Sequence, residues 1–137
     1  MGNFSQKITL KNQADLAMFR HGFIKEAEVR EVTIEALVDT GASILFITEE
    51  VRQKLGLTVE QKSYATIANG MRQPCQRTEP VAIYWKNRST VCPAMVIPGA
   101  DTNLLGAIPL EGMDLKVNPV AMCLEGVNGE YPLYLAL

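Results

Sequence analysis

The sequence predicts an all-β domain, a barrel or sandwich, with one or two short helices. Two observations predict it. Apolar and polar residues alternate at period two, most clearly from Val32 to Val38, as in a strand with one buried face. Turn signals also recur at close intervals, at Asn69-Gly70, Lys86-Asn87, Pro98-Gly99 and Asn128-Gly129. Many short strands between such turns mark all-β architectures.

The elements follow in order. Gln6 to Leu10 reads as a short strand, and Asp15 to Arg20 as a helical turn or more. Ile24 to Val29 is mostly polar and reads as a surface loop or hairpin. Val32 to Val38 is the half-buried strand, and Ile44 to Ile47 a short buried one. Thr48 has the side chain of a helix N-cap, with Glu49 and Glu50 in the first turn and Leu55-Gly56 at the end. The residue three beyond the cap is Val51, so no capping box is expected. Ser63 to Ile67 and Arg77 to Trp85 read as strands flanking Asn69-Gly70, the strongest hairpin signal in the chain. Lys86-Asn87 turns into a strand from Ser89 to Ile97, which Pro98-Gly99 breaks. Ala107 to Met113 fits a short helix. Leu115 to Val117, Val120 to Leu124 and Tyr131 to Leu137 complete the strands, with Asn128-Gly129 as a second hairpin turn.

A length of 137 residues fits one domain with a real core, residues 1–30 reading as an N-terminal extension of it. Apolar residues make up 47% and charged residues 20%, an ordinary globular composition. The net charge of −2 and the lack of a basic run argue against nucleic acid. No apolar stretch approaches a membrane span. The N-terminus lacks the basic and apolar regions of a signal peptide, and Gln6 departs from the myristoylation pattern that Gly2 suggests. Cys75, Cys92 and Cys123 are odd in number and widely spaced, so they read as reduced, buried thiols in a cytoplasmic protein. In that compartment Asn87-Arg88-Ser89 is a chance glycosylation match.

The chemistry concentrates at Asp39-Thr40-Gly41-Ala42-Ser43. A carboxylate between two buried strands is costly unless the fold satisfies it, and a hydroxyl and a glycine follow at once. Downstream come Asn69-Gly70 and then Leu104-Leu105-Gly106. Together these resemble the retropepsin-like, single-domain aspartic proteases of clan AA, particularly small bacterial members, over about residues 30–120. Leu55-Gly56-Leu57 after the first loop also looks like the bacterial group.

The resemblance implies a retropepsin-like half-barrel and peptide hydrolysis without cofactor or metal. Asp39 would be the catalytic carboxylate, and the Thr40 hydroxyl would bond across a dimer axis. Gly41 would bring an N–H near the carboxylate, with Ala42 and Ser43 lining the loop. Ala68, Asn69, Gly70 and Met71 would form the tip of a substrate-binding flap. Gly106 would let its strand pass close beneath the loop, with Leu104 and Leu105 packing the core. The mechanism needs two carboxylates that share one proton, one acting as base on water. The chain holds a single Asp-Thr-Gly. The resemblance therefore implies a homodimer acting on a peptide or protein substrate, one Asp39 from each subunit on the two-fold axis. It also implies interface strands at Ile8 to Leu10 and Tyr131 to Leu137.

Plainer readings stand beside these. Asp and Gly are ordinary turn formers, Asn-Gly needs no function, and Leu104-Leu105-Gly106 fits core plus turn. His21, the only histidine, reads as a surface residue. Met71, Met113 and Trp85 read as packing residues, and Glu125 and Glu130 as a solvated turn. A weak or inactive module of the same fold, used for dimerisation or peptide binding, is the alternative function.

Overall fold

A computed structural model describes residues 3–66 and 69–131. The strands are β1 (Phe4–Asn12), β2 (Glu31–Val38), β3 (Leu45–Phe46), β4 (Val59–Thr66), β5 (Arg72–Trp85), β6 (Arg88–Val96), β7 (Leu104–Leu105), β8 (Leu115–Asn118) and β9 (Cys123–Gly126). Three α-helices, α1 (Gln13–Arg20), α2 (Glu49–Leu55) and α3 (Ala107–Gly112), and a 3-10 turn at Glu26–Glu28 complete the described elements. The expected one or two helices are thus three. The turn expected over Asp15 to Arg20 is part of the two-turn helix Gln13–Arg20, which Asn12 caps, its Oδ1 accepting from Asp15 N at 3.0 Å.

Seven strands form one sheet in the order β1-β2-β7-β3-β6-β5-β4, and β1 also pairs with β5. The pairings therefore return on themselves as a barrel-like sheet. The strand that makes this possible is β5, at 14 residues. Its register with β6 shifts between Arg77 and Pro80, and such an irregularity bends a strand. Its first half pairs with β4, Thr66 opposite Arg72. Its second half pairs with β1, Leu10 opposite Ile83. Both edges of β1 around Thr9 and Leu10 are taken within the chain, by β2 and β5. Ile8 and Leu10 are buried in the core, which corrects the expectation that Ile8 to Leu10 forms a subunit interface. The other expected interface segment, 132–137, lies outside the described residues, although Tyr131 is described and exposed.

The core fills the barrel. Leu10, Ala36, Leu45, Leu55, Val81, Ile83, Ala94 and Leu105 have no exposed surface. Alternation along β2 supplies Ile34, Ala36 and Val38 from one face. The Thr48 side chain accepts from Val51 N at 3.2 Å to start α2, and Gly56 ends it at φ +64. Asn12 also donates to Leu55 O at 2.8 Å, so one buried amide serves the start of α1 and the end of α2. Trp85 is buried and donates to Gln6 Oε1 at 2.9 Å. Met113 is buried in the core, Met71 and His21 are exposed.

Asp15 and Arg30 hold the N-terminal segment onto the sheet. Arg30 Nε donates to Asp15 Oδ2 at 2.8 Å and Nη2 to Oδ1 at 3.0 Å. The backbone N–H of Arg30 adds a third bond at 3.0 Å. The Arg30 side chain holds the Asp15 carboxyl below its ordinary 3.8. A depressed carboxylate stabilises the fold above its unfolded pKa, and that contribution is lost as pH falls through the lower folded value. Asp15→Asn is therefore expected to cost about 1–2 kcal/mol near neutrality, discounted because Arg30 is half exposed. The gap between the melting curves of the two proteins should narrow as pH falls below 3.8 towards the lowered folded value; a gap that stays constant throughout acid titration would refute the ion-pair account.

The C-terminal part differs most from the sequence reading. β8 and β9 form a separate two-stranded sheet. Val120 to Met122 is not strand but the turn between them, and pairing resumes at Cys123. Glu125 sits in β9 near Lys116, at 3.8 Å, rather than in a solvated turn. Cys75 and Cys92 are buried, but Cys123 is only half-buried. Gly129 has the positive φ that a turn at Asn128-Gly129 needs; the strand expected beyond it lies outside the described residues. The buried Arg88 ties this unit to the barrel by donating to the carbonyls of Met113, Asp114 and Gly129.

Candidate active site

Asp39 follows β2 directly, and β7 fixes its position. β7 lies between β2 and β3, parallel to the first and antiparallel to the second. Leu37 N donates to Asn103 O at 2.8 Å and Asp39 N to Leu105 O at 3.1 Å. The loop then turns tightly, with Ala42 N donating to Asp39 O at 3.0 Å. Gly41 N reaches back to Asp39 Oδ1 at 2.9 Å, so the carboxylate accepts a backbone hydrogen bond inside its own turn. A Cβ on Gly41 would lie 3.1 Å from that oxygen.

Gly106 holds the loop from below. Gly106 N donates to Ile44 O at 3.0 Å, and the first N–H groups of α3 donate to the loop, Ala107 to Ala42 O and Ile108 to Ser43 O, both at 2.9 Å. The loop carbonyls thus satisfy donors that a helix start leaves open. Asn103 adds a side-chain tie, its Oδ1 accepting from Thr48 N at 3.0 Å. That residue had no signal in the sequence beyond its place before Leu104.

Above the loop lies an open cleft of about 770 Å³. Its floor includes Asp39, Gly41, Ala42 and Ser43; its walls include Ile44, Phe46, Met95, Ile97 and Leu104, and Tyr64 to Thr66 of β4 reach it. Here the period-two rule sorts residues that the sequence reading left together. Leu45, Ile47 and Leu105 enter the core, whereas Ile44, Phe46 and Leu104 face the cleft half-buried. Leu104 is therefore a cleft residue rather than a core one. Among the described residues lining the cleft, Asp39 is the sole charged group.

The β4–β5 hairpin forms as Asn69-Gly70 predicts. Gly70 has φ +82, and Asn69 Oδ1 accepts from Met71 N at 2.9 Å. Asn69, Gly70 and Met71 are exposed and do not line the cleft; the strand segment Tyr64 to Thr66 does. Ala68 lies outside the described residues. Arg72 stacks on Tyr64 at 4.7 Å from the ring centroid, bracing the hairpin beside the cleft. Thr40 is exposed and lines a second, smaller hollow rather than the cleft. Among the described residues no group of His, Cys, Asp and Glu side chains is placed to hold a metal ion, and no helix is long and apolar enough to cross a membrane.

Residues 25–108, more than half of the chain, match the family model described as aspartyl protease. The chain belongs to the aspartyl protease family. The matched segment runs from before β2 through the start of α3, and so spans Asp39, the β4–β5 hairpin and Gly106. Among solved structures, a retropepsin-like aspartic protease from Rickettsia conorii aligns at a TM-score of 0.47 and 20% identity, covering 86% of this chain and 89% of that one. No curated protein sequence matches.

Proposed function

We propose that this aspartyl protease family member is an endopeptidase whose catalytic group is Asp39, supplied once by each subunit of a two-fold homodimer. The observation that carries the reading is Asp39 as the sole charged group among the described residues lining a cleft of about 770 Å³ whose walls are mostly apolar. Two such carboxylates facing each other share a proton. One then draws a proton from a bound water while the protonated one donates to the scissile carbonyl. Thr40 of each loop bonds across the axis and fixes the pair. An extended peptide lies along the cleft with apolar side chains against Ile44, Phe46, Met95 and Ile97, its backbone meeting the edge of β4. The β4–β5 hairpin, tipped by Ala68 to Met71, opens to admit it and closes to exclude water. Three unpaired cysteines suit a cytoplasmic setting.

The test is cleavage of a peptide library from acidic to neutral pH, with and without a pepstatin-type inhibitor. Inhibitor-sensitive cleavage at bonds flanked by apolar residues is the expected result. Peptide binding without cleavage at any pH would favour the non-catalytic module instead. The hairpin has its own test. Gly70→Val strains a left-handed residue by about 1–2 kcal/mol, with no atom within 4 Å to clash. Turnover should fall while the folded dimer persists, and Gly70→Asn, which tolerates that conformation, should stay near wild type. Equal kinetics in all three would reduce the hairpin to a plain turn.

A further inference from the structure

The turn between β8 and β9 has a composition that the described residues of one chain do not explain. Pro119, Val120, Ala121 and Met122 are four consecutive apolar residues, and all four are exposed, Val120 at 93%. Solvent-facing turns are ordinarily built from Gly, Pro, Asn, Asp and Ser, so Pro119 is ordinary there, whereas an exposed apolar run that continues through Val120, Ala121 and Met122 calls for a functional reason. The turn is also held rigid. Asn118 Oδ1 accepts from Val120 N at 3.1 Å and from Ala121 N at 3.0 Å, and Asn118 Nδ2 donates to Glu125 Oε2 at 3.3 Å. Its base is anchored to the barrel through buried Arg88. An apolar knob displayed this way is preorganised for contact.

Its position is informative. A hollow of about 200 Å³ is lined by Asp39, Thr40 and Gly41 and by Pro119 and Met122, with Asn3, Phe4, Val38 and Val117 completing it. The knob therefore adjoins the Asp39 loop, at a hollow that shares Asp39 and Gly41 with the cleft. We propose that this turn is a contact surface for a second copy of the chain, Val120 of each subunit packing into the hollow beside Thr40 of the other. The inference rests on the reading of Asp39 as half of a carboxylate pair. A site of that kind is incomplete in one chain, and a two-fold axis at Asp39 brings the partner against whatever flanks Thr40 and Gly41. A self-complementary contact then needs a knob and a hollow on the same surface, and both are present here.

The test is Val120→Asp, followed by sedimentation over a wide concentration range together with cleavage of a peptide substrate. The substitution sits on an almost fully exposed side chain, so circular dichroism and melting temperature should match the wild type. The dimer dissociation constant should rise by at least about tenfold, since a two-fold interface counts the charge twice. Activity should vanish at low protein concentration and recover at high concentration with kcat unchanged, because Val120 does not line the cleft. Val120→Ile should dimerise like the wild type. Dimerisation of Val120→Asp and Met122→Asp indistinguishable from wild type would overturn the proposal and leave the hollow to some other cover, such as another segment of the same chain. That failure is separable from failure of the catalytic reading. The latter would appear as a wild-type enzyme active as a monomer, or as full activity in Asp39→Asn.

Discussion

Asp39→Asn is expected to lower the cleavage rate by about a thousandfold or more, the range of a lost general base, while folding and pairing as the wild type does. The substitution keeps the shape of the loop. An amide oxygen at the Oδ1 position still accepts from Gly41 N, and the backbone ties Asp39 N to Leu105 O and Ala42 N to Asp39 O are untouched. What disappears is the group that takes a proton from water. Because the dyad is shared, the same variant acts as a poison. With about a tenfold excess of Asp39→Asn subunits, activity per wild-type subunit should fall to roughly a tenth, since nearly every wild-type chain then pairs with a defective one. Activity that scales with wild-type protein regardless of added variant would exclude a shared site.

Much of the fold is legible because its cues are local. Thr48 caps α2, Gly56 ends it in the left-handed region, and Gly70 supplies the positive φ of the hairpin, each by the chemistry of one or two residues. The Asp39 loop is legible for the same reason, since its turn and its Gly41 hydrogen bond are closed between Asp39 and Ala42. The features that were not legible depend on distant partners. That β5 runs for 14 residues and serves two neighbours follows from the shift near Pro80, which requires β1 and β4 to be in place. The division of Ile44 to Ile47 between cleft and core has the right period in the sequence, but nothing local says which face meets substrate. Val120 to Met122 reads as strand from its apolarity alone. The Asn118 side chain instead closes a turn there, so hydrophobicity marked a surface rather than an interior.

Gly106→Ala is the second large effect, and it separates two reasons for a glycine. The backbone of Gly106, at φ −93 and ψ −173, is extended and open to any residue. Conformation therefore does not require glycine here; space does. A Cβ would lie 2.6 Å from Ala42 O and 2.8 Å from Ile44 N, and closer still to Ile44 O. These are backbone atoms of the active-site loop and cannot rotate away as a side chain would. Relieving the overlap means lifting β7 and the start of α3 from the loop. That strains Gly106 N to Ile44 O, Ala107 N to Ala42 O and Ile108 N to Ser43 O together. Overpacking and weakened buried hydrogen bonds sum to roughly 3 kcal/mol, a large share of the stability of a domain this size. Protein that still folds should have lost most of its activity, because Asp39 is tied to the same strand through Leu105 O. The measurement is chemical denaturation beside peptide cleavage. Gly70→Ala is the control, since its cost comes from a positive φ in open space and leaves the Asp39 loop alone. A Gly106→Ala protein with wild-type stability and turnover would show that the loop does not depend on this close approach.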